Sequence, residues 1–208
     1  MLLKWTISVF SIFLMNTNYP IEMIEHVTKA KAYAEKAHDD AGCTYGDNDE
    51  SYVVHLDEVR NWVLRHPSVL RFTFDFENVL AAAYTHDLIE DAQQTYNDVK
   101  DATSKEVADI TLAVTDVHAE NRMLRFLLTV PKMIKDYRAL VLKVCDIAAN
   151  ASYGRSAKNS MYRKYQKEWA GYKRYIFVTA SRQYEKELRL GSFNQLISSV
   201  DEIMGYED

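Results

Sequence analysis

The stretch "ENVLAAAYTHDLIED", residues 77–91, sets a run of Ala and Leu against a histidine, two aspartates and a glutamate. The apolar half has the composition of a tightly packed helix, so the polar half is expected to point into the interior too. A buried carboxylate without a partner costs several kcal/mol, so His86, Asp87, Glu90 and Asp91 together need a cation or a special environment. If the helix runs on to Asp91, His86 and Glu90 lie four apart on one face. Asp87 and Asp91 repeat that spacing one position on, so all four project within one broad arc. Imidazole and carboxylate suit a six-coordinate divalent ion such as Mn²⁺, Fe²⁺ or Mg²⁺, whereas a structural zinc site would normally include cysteine.

Helical periodicity continues on both sides of this stretch. Ile24, Val27, Ala30, Ala34 and Ala37 recur at helical spacing between Ile21 and His38, and Pro20 suits a first turn. The segment "DDAGCTYGDND" (39–49) reads as a loop. A second helix begins near Ser51, with Val54, Val59, Trp62 and Val63 on its buried side, and ends before Pro67. The third spans Glu77 to about Asp91. Thr95 with Asp98, and Ser104 before "KEVADITLAVTD", read as N-terminal caps of two short helices. Next come "NRMLRFLLTV", "YRALVLKVCDIAANA", a long helical pattern from about Lys158 to Leu190, a break at Gly191-Ser192, and "FNQLISSVDEIM". No strand alternation or internal repeat stands out, which predicts an all-α bundle of about eight to ten helices.

The bulk properties agree with one globular domain. The 208 residues are 48% apolar and 26% charged, and six glycines with three prolines are few for a β-rich fold. Cys43 and Cys145 form no CxxC pattern, which excludes a zinc-finger or disulfide framework and favours a reducing, cytoplasmic setting. The net charge of −5 argues against general nucleic-acid binding. Residues 155–189 nevertheless carry ten Lys/Arg against three acids, a distribution suited to a small phosphorylated substrate, although a solvated helix face accounts for most of them. Residues 1–20 read as an apolar N-terminal extension. Its "MLLKWTISVFSIFLMN" is short of the about 20 residues of a membrane span and lacks a small-x-small cleavage site, so an extra terminal helix, or a start at Met15, is expected.

A site of this kind needs ligands from further elements. His55 lies in "SYVVHLDEV" (51–59), flanked by valines and leucine, and Asp146 lies in the nearly uncharged "VLKVCDIAAN" (141–150). A carboxylate among Val144, Ile147 and Ala148 is costly without a partner. His55, then His86-Asp87, then Asp146 resembles the H…HD…D pattern of the HD-domain metal-dependent phosphohydrolases. "HDLIED" resembles the HDxxED motif of the (p)ppGpp hydrolases of the RelA/SpoT family and their small stand-alone metazoan relatives. "LAVTD" (112–116) and "KVCDIAAN" (143–150) resemble that family's VTD and KLADxxxN segments. The resemblance spans about residues 22–180 and assigns an HD-type domain to 21–208.

The resemblance implies that His55, His86, Asp87 and Asp146 hold one Mn²⁺, with Fe²⁺ or Mg²⁺ as alternatives, and that Glu90 and Asp91 orient and deprotonate a water. Asn150 would contact the nucleotide, with Arg122, Tyr153 and Arg155 as further substrate contacts. The implied activity is a (p)ppGpp 3′-pyrophosphohydrolase. An HD nucleotidase acting on other (deoxy)nucleotides and a slow-turnover nucleotide-binding regulator are the alternatives. One departure stands out. Family members carry an Arg-Lys pair in a "HxxQxRKxGxPYxxH" stretch, where the arginine packs on guanine; here "HDDAGCTYGDNDESYVVH" keeps His38 and Tyr52 but is longer, acidic and without arginine. The expected partner is a small phosphorylated nucleotide, and the sequence leaves the oligomeric state open.

Overall fold

Val79, Leu80, Ala81, Ala82, Ala83 and Tyr84 are all 0% exposed, so the second half of the helix that carries them, Thr73–Thr85, is enclosed on every side. In the computed structural model, which describes residues 21–206, this helix is the third of nine among the described residues. They are α1 (Ile21–Ala41), α2 (Val53–Arg65), α3 (Thr73–Thr85), α4 (Tyr96–Ala102), α5 (Lys105–Val114), α6 (Arg122–Met133), α7 (Tyr137–Ala157), α8 (Ser160–Gln183) and α9 (Leu190–Met204). A ribbon of β1 (Thr44–Tyr45) and β2 (Glu50–Ser51) joins α1 to α2, pairing antiparallel with Thr44 opposite Ser51. The expected all-α bundle is thus found. The expected apolar extension of residues 1–20 lies outside the described residues, and no helix among these is long and apolar enough to cross a membrane.

Helix α3 packs against α1, α2, α5 and α7, and α7 in turn packs against α2, α8 and α9. Small residues make this close approach possible: Ala30, Ala34 and Ala37 of α1, Ala81 to Ala83 of α3, and Ala148, Ala149 and Ala151 of α7 are all buried. The two central helices therefore bring α2, the end of α3 and the middle of α7 together, and these three places carry His55, His86-Asp87 and Asp146. Local chemistry fixes the ends of the peripheral helices. Thr95 and Asp98 form a reciprocal capping box at α4, and Ser104 accepts from the Val107 N–H at α5. Pro67 restricts the residue before it, and α2 stops at Arg65 with His66 extended away from helical geometry.

Several features differ from the sequence reading, among them the long helix expected to reach Leu190, which ends at Gln183. Helix α3 starts at Thr73 and ends at Thr85 instead of running to Asp91. His86 Nδ1 bonds the Ala83 carbonyl at 3.0 Å, and tighter turns follow, with the Leu88 N–H on the Thr85 carbonyl and the Glu90 N–H on the Asp87 carbonyl, both at 3.1 Å. Val54, expected on the buried side of α2, is 41% exposed. Gly191 and Ser192 do not break the chain but lie in the first turn of α9, whose start is held by the Arg189 N–H on the Val69 carbonyl at 2.9 Å. The β ribbon is two residues per strand, too short for any alternation to register.

One polar clasp ties the three helices that open the bundle. Asp57 of α2 receives Lys31 Nζ of α1 on both oxygens at 2.9 and 3.0 Å, the Tyr84 hydroxyl of α3 at 2.8 Å and Arg60 at 3.0 Å. Burial alone would raise its pKa, but these donors hold it below the usual carboxylate value. A depressed carboxylate contributes stability above its unfolded pKa and loses it as pH falls through the lower folded value. Asp57→Ala should therefore cost about 1–3 kcal/mol at pH 7, typical of hydrogen bonds to a charged group. The gap from wild type in urea-unfolding midpoint should shrink as pH falls below about 4. An equal gap at pH 7 and pH 3 would mean that the carboxylate's charge is not what holds the clasp.

Candidate active site

Four ligand atoms converge where α2, the end of α3 and α7 meet. His55 Nε2 lies 3.2 Å from His86 Nε2, 3.4 Å from Asp87 Oδ2 and 3.5 Å from Asp146 Oδ1. His86 Nε2 lies 3.0 Å from Asp87 Oδ2 and 3.7 Å from Asp146 Oδ1. His55, His86 and Asp146 are buried and form a group of ligand atoms all within 4.8 Å of one another. His86 directs Nδ1 to the Ala83 carbonyl, which orients the ring and turns Nε2 toward the cluster. Asp146 is held from both sides: its Oδ2 accepts from Lys143 at 2.9 Å and its Oδ1 from Asn150 at 2.6 Å.

The donor set is two imidazole nitrogens and two carboxylates, with no thiolate. Cys43 instead directs its thiol to the Asp91 carbonyl at 3.3 Å, and burial pushes the Cys145 thiol pKa up. Two ring nitrogens facing each other at 3.2 Å, each also beside carboxylate oxygens, form an arrangement that a single divalent cation satisfies. The residues therefore fit a divalent metal ion. Without the cation, protons serve the same purpose. Burial lowers the His86 pKa, yet the charges of Asp87 and Asp146 outweigh it and raise the group to about 10; His55 is raised in the same contest. Asp87 and Asp146 move the other way, held down by the histidines and, for Asp146, by Lys143 against the cost of burial.

Glu90 and Asp91 sit at the mouth of the cavity, open to solvent on one side and enclosed by protein on the others. That enclosure, with the charge of Asp87, raises Glu90 to about 7, against the opposing pull of Lys143 and the Asp116 N–H. Asp91 is raised by burial and by Asp87. The Tyr52 hydroxyl lies between Asp87 Oδ2 at 2.7 Å and Asp91 Oδ2 at 2.8 Å, so its single proton serves one of them at a time. The Tyr52 ring stacks on His38 at 4.3 Å, so the two residues buttress each other.

The cavity has a volume of about 270 Å³. Beyond the acidic cluster its walls include Lys143, Arg122, Arg125 and Lys164. Burial and the neighbouring Arg122 lower the Lys164 pKa, as expected of a cation set among other cations. Of the expected substrate contacts, Asn150 and Arg122 line the cavity. Arg122 makes a two-point bond to Glu168 at 2.5 and 2.7 Å, and Asn150 orients Asp146. Tyr153 and Arg155 are not brought to it. The Tyr153 hydroxyl accepts the Asp47 N–H at 3.3 Å behind the ribbon, and Arg155 bonds the Glu202 and Ile203 carbonyls at the end of α9. The expectation for Arg155 is corrected on that ground: satisfying terminal helix carbonyls occupies its guanidinium.

Sequence reasoning missed Lys143, Arg125, Lys164 and Tyr45. Lys143 was legible as the residue three before Asp146 on one helix, a spacing at which ammonium and carboxylate meet. Tyr45 carried no periodic signal, because it reaches the site from the acidic loop through a positive-φ turn. Its ring stacks on His55 at 4.8 Å and its hydroxyl donates to Asn150 Oδ1 at 3.2 Å. Gly46 follows at φ 76°, where a Cβ would stand 1.8 Å from the Tyr153 hydroxyl, so only glycine fits.

The proton balance gives a direct test. Raised histidines stabilise the metal-free fold below their ordinary pKa of 6.5 and lose that contribution as pH climbs toward the folded values. A metal must displace those protons, so Mn²⁺ affinity should rise with pH between 6 and 8, with release of about one to two protons per ion. Calorimetry in buffers of different ionisation enthalpy measures this. A pH-independent affinity with no proton release would contradict the assignment of the histidines as ligands.

No family model matches the chain. Among solved structures it is similar to a metazoan ortholog of SpoT that hydrolyzes ppGpp and plays a role in starvation responses, with a TM-score of 0.62 and 20% sequence identity over 90% of this chain and 97% of that one. The chain thus shares its all-helical fold with that protein.

Proposed function

We propose that this chain is a divalent-metal-dependent phosphohydrolase of a phosphorylated nucleotide, with Mn²⁺ as the resident ion and the 3′-pyrophosphoryl group of (p)ppGpp as the group removed. The observation that carries this reading is a cavity lined together by His55, Asp87 and Asp146, by Glu90 and Asp91, and by Lys143, Arg125 and Lys164. A set of ligands, a base and an array of cations is what the displacement of a pyrophosphate requires. The shared fold with a ppGpp hydrolase supports the substrate class.

In this reading His55, His86, Asp87 and Asp146 would hold the ion, which supplies a lowered pKa for a water and neutralises charge on the attacked phosphoryl group. Glu90, raised to about 7, is suited to accept the proton of that water near neutral pH. The water oxygen bonds to the phosphorus carried by the 3′-oxygen and the phosphorus to 3′-oxygen bond breaks. Pyrophosphate departs with the new oxygen, and the 3′-oxygen takes a proton. Asp91 and Tyr52 orient the water side, while Lys143, Arg125 and Lys164 neutralise the departing pyrophosphate. Arg122 joins them once it exchanges Glu168 for phosphate.

Two variants separate the roles. Glu90→Gln should keep its Mn²⁺ and lose about 10² to 10⁴ in kcat for pyrophosphate release from ppGpp. Asp146→Ala should lose the metal itself, together with the part of the thermal stability that Mn²⁺ confers on the wild type. Near-normal turnover in Glu90→Gln would remove that residue from the chemistry, and a wild-type chain inert toward ppGpp with Mn²⁺ would overturn the substrate assignment.

A further inference from the structure

The two histidines of the cluster are held in different ways. His86 has its Nδ1 on the Ala83 carbonyl at 3.0 Å, the kind of outward bond that orients a metal-ligating imidazole. His55 is as deeply buried, yet its Nδ1 has no hydrogen-bond partner among the described residues. What meets it is aromatic. The Tyr45 ring lies along its face, with centroids 4.8 Å apart and planes 22° from parallel, and the Tyr52 ring stands edge-on at 5.7 Å. The outer torsion of a histidine is broad, so an imidazole with no bond at Nδ1 needs a wall at its face to keep Nε2 aimed.

Tyr45 also reaches a second ligand. Its hydroxyl donates to Asn150 Oδ1 at 3.2 Å, and Asn150 Nδ2 donates to Asp146 Oδ1 at 2.6 Å. The direction of this chain of bonds is forced: an ionised carboxylate only accepts, so the amide turns its nitrogen to Asp146 and its oxygen to Tyr45. Burial and the charge of Asp146 push the Tyr45 hydroxyl pKa up, so it keeps the proton it donates. The tyrosine is fixed in turn by the ribbon. It pairs with Glu50 across the two strands, and Tyr153 of α7 packs on its ring at 4.7 Å while accepting the Asp47 N–H of the turn.

We propose that Tyr45 is a positioning residue of the metal centre: its ring holds the His55 imidazole by the face, in place of the hydrogen bond that orients His86, and its hydroxyl steadies Asp146 through Asn150. The inference rests on the metal-dependent phosphohydrolase reading for the presence of the ion. One side chain from the acidic loop thereby sets two ligands that come from different helices, His55 of α2 and Asp146 of α7. The ring carries the larger share. A flat aromatic face limits the rotation of the imidazole directly, whereas the hydroxyl acts on Asp146 at one remove, and Lys143 still bonds that carboxylate at 2.9 Å.

The test is calorimetric titration of the full chain with Mn²⁺, beside pulsed electron paramagnetic resonance of the loaded protein and an assay of pyrophosphate release from ppGpp. Tyr45→Leu and Tyr45→Met keep apolar bulk but remove the flat face, and either serves if the other does not fold. They should weaken Mn²⁺ about tenfold to a hundredfold, the usual effect of losing an outer-shell partner. At full occupancy they should also broaden the one imidazole nitrogen coupling that His55→Ala removes, and leave that of His86 sharp. Tyr45→Phe restores the ring without the hydroxyl; it should keep both couplings and stay within about fivefold of wild-type affinity, the share of one neutral hydrogen bond. Wild-type affinity and couplings in the Leu and Met variants, a Phe variant as weak as these, or no Mn²⁺ binding by the wild type overturns the proposal. A wild type that releases no pyrophosphate from ppGpp while these differences in Mn²⁺ binding persist would instead sink the hydrolase reading and leave the role of Tyr45 standing.

Discussion

Two imidazole nitrogens 3.2 Å apart, with carboxylate oxygens beside each, form the constraint around which this fold is arranged. Such a group in the interior has no stable state without positive charge: either the histidines hold protons or a divalent ion takes their place. The packing that brings its helices together is apolar and tight, and polar bonds from Lys143, Asn150, Tyr52 and the Ala83 carbonyl then orient the side chains. The alanines of α1, α3 and α7 let the helices approach closely enough for α2, the end of α3 and the middle of α7 to meet at one point. A small change in that packing would separate ligand atoms that must lie within a few ångströms of each other.

Around this point side chains of both charges line one cavity. The acidic residues Glu90 and Asp91 stand next to the ligands, where carboxylates with raised pKa values can accept a proton. Lys143, Arg125 and Lys164 line the same cavity, and Lys143 bonds Asp146 directly. The chain's net negative charge thus conceals a local positive wall, whose components come from α6, α7 and α8.

Most of this organisation is written in the sequence through spacing and burial. The four metal-ligand candidates were legible because ionisable residues in apolar runs need partners, and the caps at Thr95 and Ser104 were legible because their chemistry is local. The errors also have physical causes. Continuing α3 to Asp91 followed its composition, but the His86 side chain takes the Ala83 carbonyl and the turn tightens, so Glu90 reaches the site by a different path from an i,i+4 relation. Arg155 lies in a basic run, yet the carbonyls at the end of α9 claim it, which no one-dimensional pattern could register. Tyr45 and the cationic wall come from segments far apart in the chain, where only tertiary packing decides which side chains turn inward. Residues in a loop rich in acids and glycine gave no periodic signal at all.

The account stands on one ion held jointly by α2, the end of α3 and α7. Pulsed electron paramagnetic resonance of the Mn²⁺-loaded protein reads its ligands directly. The structure predicts couplings from two imidazole nitrogens, one lost in His55→Ala and the other in His86→Ala, each variant being examined at an Mn²⁺ concentration that restores occupancy. A Mn²⁺ spectrum without nitrogen couplings, or one unchanged by both substitutions, would contradict it.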